Sequence, residues 1–204
     1  PAKKFANHFI FGDYKDIKSI ATRGPLTPDH VIRTKRVPMI GRDVDSYKND
    51  YLSYFKSNEP NAKDRKDMLD PAPRVVLDKD LGLCSIGKSM KDVAIISDIY
   101  EHTIQSILRA EILGGFIALP AADIFDLEYW DLEQAKLKKS ISLPLQGKIT
   151  LVTGAVGGIG TAIVKSFIEA GAEVIAVDIN EKTLEKTSFG ATVQKRNIDV
   201  TDEK

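Results

Sequence analysis

A single cysteine, Cys84, stands among the 204 residues. That excludes an internal disulfide and fits a reducing compartment. Cys84 lies in the apolar run LGLCSIG, which suits a buried structural thiol better than a nucleophile, since reactive thiols need an electropositive, accessible site. No apolar run approaches the roughly 20 residues of a spanning helix. The opening PAKKFANHF lacks the long apolar core of a signal peptide. An excess of either charge is also missing: 29 basic residues face 29 acidic ones, for a net charge of zero. This argues against a broad nucleic-acid or anionic-membrane surface. The expectation is a cytoplasmic protein with neither nucleic acid nor membrane as a partner. What is present is ordinary for a globular chain, 43% hydrophobic and 28% charged, with room for one large domain or two small ones.

Residues 1–70 carry little regular periodicity. Pro25, Pro28, Pro38 and Pro60 break long helices, so loops and short elements are expected, with one helix over 45–56. RVVLDKDLGLCSIG then gives two short β-type runs, Arg74–Leu77 and Leu81–Ile86. Ser89 stands three residues before Asp92, a capping-box start. From Met90, apolar residues recur at helical spacing (Val93, Ile96, Ile99, Ile104, Ile107, Leu108). That helix should stop at Gly114–Gly115, where glycine suits a left-handed cap. A second amphipathic helix is expected over 126–138. Ser140–Gly147 (SISLPLQG) reads as a linker, because Pro144 cannot enter a sheet interior. The domain boundary is placed there, dividing 1–143 from 144–204. The fold class read from this pattern is α/β.

The second part carries the most informative motif. Lys148–Val152 is a β-type run, Thr153-Gly154-Ala155-Val156-Gly157-Gly158-Ile159-Gly160 a glycine loop, and Thr161–Ala170 a helix with Ile163, Val164, Phe167 and Ile168 facing inward. Glu173–Val177 is a second strand with Asp178 at its carboxyl end. Strand, glycine turn, helix, strand and acid in that order point to dinucleotide binding. Gly154 permits the tight turn, Gly158 lets the backbone approach a pyrophosphate, and Gly160 lets helix and strand lie close. The helix N-terminus offers amide donors and a positive dipole end to phosphate. Asp178 can accept hydrogen bonds from ribose hydroxyls. It would repel a 2′-phosphate, and no arginine directly follows it, so NAD is expected over NADP. The cofactor residues are Thr153, Gly154, Gly158, Ile159, Gly160 and Asp178.

The Thr-Gly-x-x-x-Gly-x-Gly spacing resembles the short-chain dehydrogenase/reductase family, which implies a Rossmann (doubly wound) domain. By that resemblance Asp199 and Val200, in Asn197–Asp202, lie beside the adenine ring. The family transfers hydride with a Tyr, a Lys four residues later and a Ser. A tyrosine of ordinary pKa near ~10 is a poor base at neutral pH, so the cationic neighbour matters. No tyrosine follows Tyr129 in this sequence. Tyr14 and Lys18 have the right spacing but precede the loop, in the wrong order for the family. No catalytic residue is therefore assigned. Lys204 is expected to be a truncation point, and the chain alone is expected to be inactive.

RGPLTPDHVIRTKRVP, DLGLCSIGKSMKDVAIISDIYEHTI and ALPAADIFDLEYWDLEQAKL resemble the middle of bifunctional sugar enzymes of rhamnose metabolism. In these a class II aldolase-type domain precedes a short-chain dehydrogenase domain. The resemblance implies retro-aldol cleavage of a ketose phosphate and oxidation of a lactaldehyde product, a small sugar-derived substrate, and a parent from a family that is often homo-oligomeric. It also implies a zinc site, held by His-x-His plus a third His with a Glu as acid/base. His8, His30 and His102 contain no such pair, so the metal centre belongs outside this chain and no metal ligand is assigned within it. His102 is expected mid-helix, packed or at the surface. His30, in TPDH, suits a turn cap or an anion site beside Arg33 and Lys35.

Overall fold

The computed structural model describes residues 17–137, 143–190 and 192–202, and the backbone of 2–5. Those residues fall into two compact units, one within Ala2–Ile86 and Asp92–Ser140, the other within Gly87–Lys91 and Ile141–Lys204. The fold is α/β, and the C-terminal segment is Rossmann-like, with a parallel sheet.

In the first unit, strands β1 (Ala2–Phe5), β2 (Met39–Ile40), β3 (Val75–Asp78) and β4 (Gly82–Ile86) form one sheet in the order β1-β4-β3-β2. The β3–β4 hairpin matches the two runs read from sequence to within a residue at either end. Its register pairs Val75 with Ser85 and Asp78 with Gly82. β1 joins antiparallel to β4 and β2 parallel to β3. Both fall in the part expected to be mostly loops; β2, with two residues, leaves no alternation to detect.

All four residues of β3 are buried, because helices pack on both faces of the strand. Helix α4 (Met90–Ile112) lays Ile96, Tyr100 and Ile104 against Val75, Leu77 and Leu83. Helix α3 (Val44–Asn58) brings Tyr47 to Val76 and Met39 on the other face. The side chain of Asp43 caps α3 by accepting from Ser46 N at 2.8 Å. α4 ends where its glycines predicted. Gly114 and Gly115 both have positive φ (119° and 116°), and Gly115 N donates to Ala110 O at 2.9 Å, a Schellman closure. Arg23, just after helix α1 (Ile17–Ala21), reaches Glu111 with both Nη atoms, at 2.6 and 3.2 Å.

The single helix expected over 126–138 is two, α5 (Ala121–Glu128) and α6 (Asp131–Leu137); Lys138 lies outside the described residues. The ladder stops just after Tyr129, whose amide still donates to Phe125 O at 3.0 Å, while Trp130 N turns to Leu127 O at 3.3 Å. The Tyr129 ring stacks on Phe125 with centroids 4.3 Å apart. Its hydroxyl lies 2.8 Å from that of Tyr51 and accepts from Leu69 N at 3.3 Å. The ring completes an aromatic cluster with Tyr51, Tyr54 and Phe125.

Beside the cluster lies a buried ion pair. Lys35, at the end of the short helix α2 (Val31–Thr34), is 7% exposed, and Glu128 is 1% exposed. Lys35 Nζ donates to Glu128 Oε1 at 3.2 Å and to the Tyr51 hydroxyl at 2.9 Å. The Tyr51 hydroxyl donates to the same Oε1 at 2.8 Å. Burial pulls the Lys35 amine below its ordinary value, and the Glu128 carboxylate opposes that shift.

In the second unit β5 (Ile149–Thr153), β6 (Glu173–Asp178) and β7 (Gln194–Asn197) form a parallel sheet in that order. Helices α7 (Gly158–Glu169) and α8 (Glu181–Lys186) follow β5 and β6. Val152, Val174 and Ala176 of the sheet bury against Val164, Leu184 and Phe189. On the other face of β5, Ile149 and Leu151 are about 60% exposed. Among the described residues no helix is long and apolar enough to cross a membrane.

Replacing Lys35 by Met should cost about 3–5 kcal/mol, the usual penalty for stranding a buried charge. Adding Glu128→Gln should recover part of it. Urea unfolding of both variants checks this; equal losses in the single and double variants would sink the coupling.

Candidate dinucleotide site

The parallel sheet sets the geometry. Because β5, β6 and β7 run the same way, Thr153, Asp178 and Asn197 all end at one edge, the carboxyl edge where open α/β sheets take ligands. β5 pairs with β6 through Thr153 opposite Val177, and β6 with β7 through Asp178 opposite Asn197. Thr153, Gly154, Gly158 and Ile159 are exposed there.

The three glycines differ in what demands them. Gly154 has φ +64°, in the left-handed region. A Cβ on Gly160 would stand 2.0 Å from Gly154 O and 2.9 Å from Ala155 Cα, so only glycine lets the first helical turn rest on the loop. A Cβ on Gly158 would meet nothing within 4 Å, and its φ is unstrained. The space beside the helix start is open there. The protein's own packing does not require glycine at 158.

α7 begins at Gly158, three residues earlier than the sequence reading placed it, with Gly157 as its N-cap. The two glycines read there as loop are helical because loop hydrogen bonds set the first turn. Gly157 N donates to Gly154 O at 3.1 Å, Thr161 N to Gly157 O at 2.8 Å, and Thr161 Oγ1 to Ala155 O at 3.1 Å. The amides of Gly158, Ile159 and Gly160 are thus first-turn donors without intrahelical partners. Ile159 is 80% exposed, so its backbone, not its side chain, is what the site offers. Of the four expected inward residues, Val164 is fully buried and Phe167 and Ile168 are partly buried, but Ile163 is 40% exposed. It lies at the margin of the helix face that the three strands cover.

Asp178 holds the loop as well as the edge. Its Oδ2 accepts from Val156 N at 3.1 Å and its Oδ1 from Asn180 N at 2.9 Å. Each oxygen keeps a second acceptor site. Asn197 was quoted in the sequence but given no role. Its Nδ2 donates to Asp178 O at 3.0 Å and Ile179 O at 2.9 Å, fixing the turn after β6. Asn180 caps α8 through Thr183 N at 3.1 Å. Asp178-x-Asn180 was a visible turn-and-cap signal; the reach of Asn197 across strands was not. Asp199 and Val200 follow β7 at the same edge, both exposed. The Thr201 hydroxyl and amide hydrogen-bond the Asp199 carboxylate and hold it below its ordinary pKa.

The other residues singled out stand apart from this site. Among the described residues no three His, Cys, Asp or Glu side chains gather as a metal site. His8 and Tyr14 lie outside the described residues. His102 is exposed on α4. The anion site expected at His30 is not assembled: Arg33 lies 3.5 Å from Asp92, and Lys35 turns inward to Glu128. Cys84 is half-buried, not fully buried, because β4 alternates and its Leu83 and Ser85 take the buried positions.

The model of the family described as aldolase class II, second domain, matches residues 4–137. The chain belongs to that family. The short chain dehydrogenase family model matches residues 148–204, so an aldolase class II domain is followed by a short-chain dehydrogenase segment, as the bifunctional resemblance implied. An uncharacterized oxidoreductase, YuxG, of Bacillus subtilis (strain 168) is 31% identical over 183 residues, covering 80% of this chain and 26% of that protein. Dehydrogenase/reductase SDR family member 6 of Rattus norvegicus is 44% identical over 57 residues, 28% of this chain and 23% of its own. A crystal structure of 3-ketoacyl-(acyl-carrier-protein) reductase from Brucella melitensis, complexed with NADH, is 32% identical, covers 28% of this chain and 24% of its own, and superposes with a TM-score of 0.27. The chain spans about a quarter of the length of these relatives.

Gly158→Ala and Gly160→Ala should separate packing from binding. Gly160→Ala should lower the melting temperature clearly, because the new Cβ meets backbone. Gly158→Ala should leave it unchanged or slightly raised, alanine being the better helix former by up to ~1 kcal/mol. Equal melting temperatures would refute the packing assignment.

Proposed function

We propose that the C-terminal segment is the NAD-binding part of a short-chain dehydrogenase that oxidises a small sugar-derived alcohol or aldehyde such as lactaldehyde. Here the two domains are 1–143 and 144–204, and the second follows the aldolase-type domain in one bifunctional protein of rhamnose metabolism. The observation that carries the reading is the pairing of a closed contact at Gly160 with an open space at Gly158. Nothing in the protein alone explains the second glycine.

In this reading the first-turn amides of Gly158, Ile159 and Gly160 bind the pyrophosphate oxygens, and Gly154 and Thr153 shape the loop beneath. The remaining acceptor sites of Asp178 take the ribose hydroxyls. Asp199 and Val200 flank the adenine. When bound, the nicotinamide supplies the hydride acceptor; this chain's residues hold and orient the dinucleotide. Discrimination between NAD and NADP rests on Asp178. Its carboxylate favours a diol over a 2′-phosphate, and Ile179 and Asn180, which follow it, bring no cation. The Tyr, Lys and Ser of hydride transfer are assigned to no residue of this chain, and zinc, in the aldolase half, to none of its histidines.

The test is calorimetric titration of the chain with NAD and NADP. NAD should bind the more tightly. Asp178→Ser should weaken NAD by roughly tenfold, about 1.4 kcal/mol, and narrow the gap to NADP. Gly158→Ala should abolish binding while the fold persists. Unchanged NAD affinity in Gly158→Ala would remove the basis of the reading.

A further inference from the structure

Lys35 is the one non-glycine residue with positive φ among the described residues, at 65°. A side chain held there costs strain, and such strain persists only where surroundings over-determine it. The surroundings are the contacts of its amine with Glu128 and Tyr51. The turn at Lys35 sends that side chain into the core and places the next residue, Arg36, on the wall of a cavity of about 180 Å³. Arg36 shares that wall with Tyr47, Tyr51 and Tyr54 of α3 and Met39 of β2.

The charges at this cavity do not balance in depth. Lys35 and Glu128 cancel each other beneath it. Lys18, Asp43 and Asp50 stand at its rim, all exposed, where water and salt screen them, and Asp43 is engaged as the α3 cap. Arg36 is half-buried, its guanidinium 5.1 Å over the Tyr54 ring. It has no hydrogen bond or ion pair with any described residue, and its Nε is buried without a partner. A buried guanidinium N–H without an acceptor is costly, and the planar fork matches a carboxylate or phosphate.

We propose that this cavity is a binding site for a small oxyanion-bearing ligand, a carboxylate or phosphate, with Arg36 as its anchor. The volume lies below the ~300–1,000 Å³ of drug-sized sites, so the ligand is small. Tyr47 is committed elsewhere, donating to Val37 O at 3.0 Å, which fixes the wall. The site stands wholly in the first unit and is independent of the dinucleotide reading.

The experiment titrates inorganic phosphate and, separately, glycolate into the intact ¹⁵N-labelled chain at constant ionic strength, following the Arg36 Nε–H resonance. At least one probe should shift it saturably, with a dissociation constant in the roughly millimolar range. The exposed Arg109 should not follow. Phosphate alone, glycolate alone or both identify the oxyanion class. Arg36→Lys, which keeps the charge and loses the fork, should weaken binding about tenfold. No saturable shift with either probe, or equal shifts at Arg36 and Arg109, overturns the proposal. So does undiminished affinity in Arg36→Lys.

Discussion

A backbone oxygen governs the geometry of the second unit. Gly154 O lies where a Cβ on residue 160 would have to stand, so the first turn of α7 rests directly on the loop that leaves β5. That close approach aims the free amides of the first turn at the carboxyl edge of the sheet. The bond from Val156 N to Asp178 then ties the same loop to the end of the next strand. Loop, helix start and acid form one unit: a change at any of them moves the others. The loop is held by main-chain packing, with no side-chain entropy to lose in ordering it.

The first unit solves a different problem. A carboxylate that is 1% exposed must be neutralised, and Glu128 is met by Lys35 and Tyr51 from two other elements. That requirement fixes α2, α3 and α5 against one another. It also holds the backbone of Lys35 in a conformation that non-glycine residues avoid, and sets Arg36 at the cavity. The interior here is polar as well as aromatic, and its hydroxyls and amine are linked in a chain rather than scattered.

The two units also differ in how their sheets are finished. β3 is covered on both faces by helices of the same unit. β5 is covered on one face only, and its Ile149 and Leu151 remain largely exposed. The match to the aldolase class II second domain covers the first unit almost end to end. The dehydrogenase segment corresponds to about a quarter of the relatives it resembles.

Much of this was legible in the residues. The β3–β4 hairpin, the span of α4 with its glycine stop, and the strand-loop-helix-strand order all follow from local rules: β-branched runs, helical periodicity, and glycine at turns. Each depends on neighbours within a few positions. What sequence left open depends on partners far along the chain. The hydroxyl of Tyr129 meets that of Tyr51, far back along the chain. Lys35 read, with Arg33, as part of an anion site beside His30. Only the fold pairs Arg33 with Asp92, buries Lys35 against Glu128, and leaves Arg36 at a cavity wall. Charge and hydropathy along a chain specify what a residue needs; which residue meets that need is decided by the packing that brings distant segments together.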